Sequence, residues 1–203
     1  MALWAIIPVK PLRRGKSRLA KVISADKRAD LNQYLLEHTI QVLNTIDEID
    51  QILVISRDKE ALALARELGA RTVQEYGSPG LNTALSRAVE VARSYETCGI
   101  LIIPADLRRL AAEDIKAILA HRNDPPVVVI APDRKKQGTN ALLVCPPGLI
   151  DFKYGKKSFD KHCQGALDAG ARLEICNLPS LELDLDEPED LALMEAELKL
   201  SEK

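Results

Sequence analysis

With 203 residues, 46% hydrophobic and 29% charged, the chain has material for one α/β domain with a sizeable core. Its 28 Lys+Arg and 30 Asp+Glu leave a formal charge of −2, which excludes a global basic field for nucleic acid or a membrane surface. No apolar run reaches the roughly 18–20 residues of a membrane span, and the aromatics, 3% of the chain, are too scattered to stack single-stranded bases.

The N-terminus, MALWAIIPVK, has no basic residue ahead of its apolar run and does not read as a signal peptide. Residues 3–9 (LWAIIPV) form a continuous apolar, β-branched run, the pattern of a strand covered on both faces. A helix is predicted from about Ser24, with Leu31, Leu35, His38, Val42 and Ile46 on one stripe and His38 a packed core residue. A strand follows at 51–56, then a helix with Asp58 as N-cap and Gly69 as its stop. A weaker strand at 71–75 and a helix over 82–96 lead to a buried strand at 99–106. Next come a helix over 112–122, strands at 126–132 and 140–146, a helix over 157–169 and a strand at 172–176. Residues 181–186 alternate, and a helix with Pro188 in its first turn closes the chain. Strand–helix alternation of this kind predicts a single α/β domain over 1–203, a Rossmann-like, mostly parallel sheet with helices on both faces. Cys98, Cys145, Cys163 and Cys176 show no CxxC or metal spacing and read as reduced thiols of a cytoplasmic protein.

Ligands of such sheets bind beyond the carboxyl ends of the strands. Residues 10–21 (KPLRRGKSRLAK) follow the first strand and carry Lys10, Arg13, Arg14, Lys16, Arg18 and Lys21 with no acid among them. That run suits a polyphosphate, with Gly15 admitting a close backbone approach, although a solvated basic face has the same composition. A Walker A loop is disfavoured because Lys10 stands where its first glycine belongs. Asp106 ends a buried strand, where a carboxylate faces solvent or a metal, or caps a turn. Asp184 and Asp186, two apart in a strand, project to one face; with Asp106 they offer oxygen ligands for Mg²⁺, or Asp186 simply opens the last helix. Gly138-Thr139-Asn140 and Tyr154-Gly155-Lys156-Lys157-Ser158 supply a second anion site at a helix start, or merely a Ser cap. His38, His121 and His162 share no metal spacing, and no Ser/His/Asp or Cys/His nucleophile pattern stands out. Two anion sites and a metal site fit nucleotidyl transfer to a phosphorylated acceptor.

The motifs PVKPLRRGKSRLA (8–20), GLNTAL (80–85), PADL (104–107), GTNALL (138–143), YGKKSFDKHC (154–163) and LDLDEPEDL (183–191) occur in that order. Together they resemble the CofC/FbiD guanylyltransferases of deazaflavin coenzyme F-420 biosynthesis, relatives of the MobA-like nucleotidyltransferases. The resemblance implies a nucleotide-diphospho-sugar transferase-like fold and an Mg²⁺-dependent enzyme that moves GMP from GTP to phosphoenolpyruvate or 2-phospho-L-lactate. It implies triphosphate contacts from Lys10, Lys16 and Arg18, a base pocket including Gly80, Leu81 and Asn82, and acceptor contacts from Thr139, Gly155 and Ser158. Asp106, Asp184 and Asp186 become the metal carboxylates, and Lys16 and Asp106 the catalytic residues. The chain departs from the family at Arg108-Arg109, where Pro-Leu is usual, and two extra cations there bear on acceptor preference. The expected partners are GTP and the phosphoacid, with no nucleic acid or membrane and with a homodimer left open. Alternatives are a cytidylyl- or sugar-phosphate nucleotidyltransferase of the same fold, or a GTP-binding module without catalysis.

Overall fold

Strands read as continuous apolar runs need cover on both faces, and the sheet provides it. A computed structural model of the chain describes residues 2–182. Its strands are β1 (Ala2–Val9), β2 (Gln51–Ser56), β3 (Arg71–Gln74), β4 (Thr97–Ile102), β5 (Val127–Pro132), β6 (Thr139–Cys145) and β7 (Arg172–Ile175). They form one sheet in the order β3-β2-β1-β4-β6-β5-β7. All run parallel except β6, which is antiparallel to both β4 and β5. The helices are α1 (Ala25–Asn44), α2 (Lys59–Glu67), α3 (Leu81–Arg93), α4 (Ala112–Leu119) and α5 (Ser158–Asp168).

Alternate residues of each strand serve different cores. Leu3, Ala5 and Ile7 of β1 join Val54, Leu101, Val129 and Leu143 beneath α1, α2 and α4. Trp4 and Ile6 join Leu53, Ile102, Val128 and Val144 beneath α3 and α5. Side chains on a strand alternate between faces, so a run that must satisfy two cores shows no polar–apolar alternation at all. Burying each of these leucine, isoleucine and valine side chains contributes about 1.5–3 kcal/mol.

The predicted helix starts and stops are present. Ser24 caps α1 by accepting from the Lys27 amide at 3.2 Å, and Asp58 caps α2 by accepting from the Glu60 amide at 3.0 Å. Gly69, at φ +85°, ends α2 in the left-handed conformation glycine tolerates best. The α1 stripe is turned from its predicted position. Leu35 and Ile46 of that stripe are buried, but with them Leu36, Thr39, Ile40 and Leu43, while Leu31, His38 and Val42 lie along the margin. His38 is half-buried and its Nε2 meets the Leu110 carbonyl at 3.0 Å, so it ties α1 to a loop and is not a packed core residue.

The strand predicted over 99–106 ends at Ile102, leaving Pro104-Ala105-Asp106 in the loop beyond it. The four cysteines are free thiols. Among the described residues, no helix is long and apolar enough to cross a membrane.

Candidate active site

The carboxyl ends of β1, β2, β3, β4, β5 and β7 share one edge of the sheet, and the reversed β6 begins there. Ile6 pairs with Ile102, and the Ile103 amide donates to the Ile6 carbonyl at 3.0 Å, so the chain after β4 leaves beside the chain after β1. Ile102 also faces Leu142, which carries Thr139 and Asn140 to the same edge from the other side.

The basic loop after β1 is held by neutral and acidic groups. The Arg14 and Gly15 amides both donate to the Pro11 carbonyl, at 2.9 and 2.8 Å. Buried Leu12 donates its amide to Asp58 Oδ2 at 2.8 Å and accepts from Asn32 Nδ2 at 2.7 Å. A Cβ on Gly15 would lie 2.6 Å from that same Asn32 nitrogen, so the close approach glycine permits here is to an amide side chain. Arg13 turns to α1 and pairs with Asp26 at 2.5 Å, both well exposed. Lys16 sits apart from its neighbours: it is left-handed, at φ 52°, and only 6% exposed, whereas Lys10, Arg14, Arg18 and Lys21 are exposed.

Beyond β3, the Gly80 amide meets Glu75 Oε1 at 3.3 Å, and Glu75 pairs with Arg57 Nε at 3.2 Å. Leu81, first residue of α3, is 42% exposed. Asn82 spends its amide on a distant backbone: Oδ1 accepts from the Tyr154 amide at 2.8 Å and Nδ2 donates to the Tyr154 carbonyl at 3.3 Å. The expected base segment and the expected acceptor segment are therefore stapled together.

Thr139 is linked to one histidine, Ser158 stands one helical turn from that ring, and Gly155 is hydrogen-bonded to Ser158. His162 and Ser158 lie four apart on α5, on one face. His162 Nδ1 is 2.9 Å from Thr139 Oγ1, and its Nε2 accepts from the Lys153 amide at 3.0 Å. The Ser158 amide donates to the Gly155 carbonyl at 3.0 Å, and Gly155 at φ +112° needs glycine. Thr139 is 5%, Ser158 2% and His162 0% exposed. Burial, then the Lys153 and Lys161 ammoniums, lowers the His162 pKa from 6.5 to about 4, so its ring is neutral near pH 7. The Tyr154 ring meets the imidazole edge-on at 4.9 Å, and burial raises its phenol far above the usual range. From the sequence alone His162 carries no role beyond its place in YGKKSFDKHC; its spacing to Ser158 was the available signal.

Asp106 is half-buried beyond β4. Asp184 and Asp186 lie outside the described residues, as does the final helix, and among the described residues no three His, Cys, Asp or Glu groups form a metal cluster. The segment leading to those aspartates is pinned at three points. Asn140 Nδ2 donates to the Leu181 carbonyl at 2.7 Å, the Arg134 amide to the Glu182 carbonyl at 3.2 Å, and the Ser180 hydroxyl to Asp114. Asp114 also accepts from the Ala111 amide at 2.9 Å, starting α4.

The family model described as guanylyl transferase CofC like matches residues 3–199. A phosphoenolpyruvate guanylyltransferase of Rubrobacter xylanophilus is 40% identical over 196 residues, covering 97% of this chain and 95% of that one. A 2-phospho-L-lactate guanylyltransferase of Methanocaldococcus jannaschii is 35% identical over 187 residues, covering 92% and 79%. Among solved structures, a nucleotidyl transferase from Methanothermobacter superposes with a TM-score of 0.71 at 16% identity, covering 98% and 99%. A 4-diphosphocytidyl-2C-methyl-D-erythritol synthase from Anaerococcus prevotii gives 0.65 at 14%, covering 98% and 96%. At those identities the two structures share the fold.

Proposed function

This chain belongs to the CofC-like guanylyl transferase family, and from that membership we propose that it moves GMP from GTP to the phosphate of phosphoenolpyruvate or 2-phospho-L-lactate. An acceptor phosphate oxygen attacks the α-phosphorus of GTP, the bond to the β-phosphate breaks, and pyrophosphate leaves. The product carries guanosine on a new diphosphate bridge. The setting is the one implied by the sequence resemblance, deazaflavin coenzyme F-420 biosynthesis.

The observation that carries this reading is that two regions whose donors suit anions lie at one sheet edge. The first is the loop around buried Lys16. The second is the Thr139–Gly155–Ser158 cradle, stapled to the start of α3 through Asn82. A nucleotide hydrolase needs only one of them; a transferase joining two phosphorylated substrates needs both. Lys10, Lys16 and Arg18 hold the triphosphate, exposed Leu81 meets the base beside Gly80, and Asn82 supports that pocket through Tyr154. The acceptor phosphate is largely ionised at neutral pH, its second pKa being about 6, so it attacks without a general base. Rate then comes from in-line positioning and neutralisation of charge.

Asp106, with Asp184 and Asp186, would hold Mg²⁺; carboxylates are the hard oxygen donors that ion takes, one or two of them sufficing beside substrate phosphate oxygens and water. When bound, the ion would neutralise phosphate oxygens and polarise the reacting phosphoryl group.

The test is purified protein with Mg²⁺ and each nucleoside triphosphate against each phosphoacid, read by pyrophosphate release and product mass. GTP with phosphoenolpyruvate or 2-phospho-L-lactate should yield the guanosine-diphospho product. Turnover with CTP or a sugar phosphate, and none with GTP and these acceptors, would overturn the reading.

A further inference from the structure

We infer that His162 is a positioning residue for the acceptor: by donating from Nδ1 to Thr139, it leaves the Thr139 hydroxyl proton to be given to an acceptor oxygen. The inference rests on the assignment of Thr139 to the acceptor site.

The argument is one of donors and acceptors. A neutral imidazole has one N–H and one bare nitrogen, and which is which follows from its partners. The Lys153 amide can only donate, and it points at Nε2 from 3.0 Å. Nε2 is therefore the bare nitrogen and Nδ1 carries the proton. Nδ1 lies 2.9 Å from Thr139 Oγ1, so the hydroxyl receives that hydrogen bond. A hydroxyl has one proton to give, and among the described residues Thr139 Oγ1 has no other hydrogen-bond partner. Its proton is committed to whatever oxygen enters the cradle.

The other tautomer would reverse this. With the proton on Nε2, that N–H would oppose the Lys153 N–H, and Thr139 would turn its own proton to Nδ1, offering the acceptor only lone pairs. A phosphate or carboxylate oxygen would then meet a repulsive partner. The imidazole is fully buried, packed edge-on by Tyr154, and stands one helical turn from Ser158, so the ring has little room to flip. Lys153 thus acts on the acceptor through its backbone amide, two hydrogen bonds removed from the Thr139 hydroxyl, whatever its ammonium does.

The experiment is steady-state kinetics of Thr139→Val, His162→Gln, His162→Asn and the Thr139→Val/His162→Gln double variant, with KM measured separately for GTP and for the acceptor that turns over. Thr139→Val and His162→Gln should each raise acceptor KM about tenfold, the worth of one hydrogen bond to an ionised group, with GTP KM within about twofold of wild type. The double variant should be no worse than Thr139→Val alone, because both remove the same donor. His162→Asn, whose amide nitrogen can occupy the Nδ1 position, should recover most of the loss. In wild type labelled with ¹⁵N-histidine, long-range ¹H–¹⁵N correlation should show His162 protonated at Nδ1. An Nε2–H tautomer, additive effects near a hundredfold in the double variant, or an equal rise in GTP KM overturns the inference while leaving Thr139 at the acceptor. An unchanged acceptor KM in Thr139→Val overturns the acceptor assignment itself, and the inference with it. If His162→Gln does not fold, the wild-type tautomer decides.

Discussion

The basic loop over 10–21 and the cradle over 139–162 both face the same sheet edge, yet they are built on opposite plans. In the loop, charge is plentiful and mostly exposed, and order comes from a few bonds to the backbone: Asp58 and Asn32 on Leu12, and the Pro11 carbonyl on two amides. In the cradle Thr139, Ser158 and His162 are neutral and buried, and the links run Thr139–His162–Lys153 amide and Asn82–Tyr154. The first plan suits a triphosphate, whose several charges tolerate imperfect aim. The second suits a small acceptor that must be placed along the line of attack. Long-range charge governs one region and local donor geometry the other.

Asp106 lies between the two regions, and its loss should show most. Asp106→Asn should lower kcat by about a thousandfold with both KM values little changed, as expected for an interaction made in the transition state. A single-turnover assay checks it, and loss of GTP binding alone would move Asp106 wholly into the triphosphate region.

The buried imidazole makes acid stability the next largest contrast. The unfolded chain protonates His162 near pH 6.5, whereas the folded chain resists until about pH 4. Its contribution is thus fully present above pH 6.5, is lost as pH falls through that interval, and levels off below about 4, by up to about 3 kcal/mol. Denaturant midpoints at pH 7 and 4.5 should fall further in wild type than in His162→Gln. Equal falls would mean that the ring is protonated in the native state.

Crossed substitutions come next. Lys16→Ala should raise GTP KM about thirtyfold and acceptor KM little, while Ser158→Ala should raise acceptor KM about tenfold and GTP KM little. Raising ionic strength should weaken GTP more than the acceptor. If both substitutions moved the same KM, the two regions would be one site.

The smallest effect belongs to the loop's anchor. Asp58→Ala removes both the α2 cap and the Leu12 contact, and should cost about 1–2 kcal/mol of stability by urea melting. GTP KM should rise only a few-fold, because the cations themselves remain. A fall as large as that of Lys16→Ala would show that aim matters as much in the loop as in the cradle.

Most of the scaffold was legible because its signals are local. Unbroken apolar runs marked β1, β2 and β5, and Ser24, Asp58 and Gly69 marked helix ends through bonds to residues within a few positions. The ligand edge followed from the expectation of parallel strands, whose carboxyl ends share one side. What escaped the sequence were contacts between residues far apart in it. Asn32 reaches Leu12 across 20 residues, Asn82 reaches Tyr154 across 72, and Asn140 reaches Leu181 across 41. An amide that stitches two backbones has no periodicity and no motif. The α1 stripe was misplaced for a related reason: Leu31, Leu35, His38 and Val42 are correctly spaced, but the packing of α2 and α4 decides which of two adjacent stripes turns inward. His162 was passed over because a histidine was sought as a ligand or base, whereas here it works as a fixed donor.

Reversal of β6 has a consequence for how such a protein diversifies. The loops after β1, β2, β3 and β4 each leave a strand's end at the ligand edge and lead into a crossover. The return leg of the β5–β6 hairpin instead begins at the ligand edge with Thr139 and Asn140, ahead of its apolar stretch. The 133–138 turn also accepts from the Phe159 amide of α5 through the Gln137 carbonyl, at 3.3 Å, and donates from the Arg134 amide to the Glu182 carbonyl, at 3.2 Å, so a change of length there would be felt at once by the start of α5 and by the chain entering the last segment.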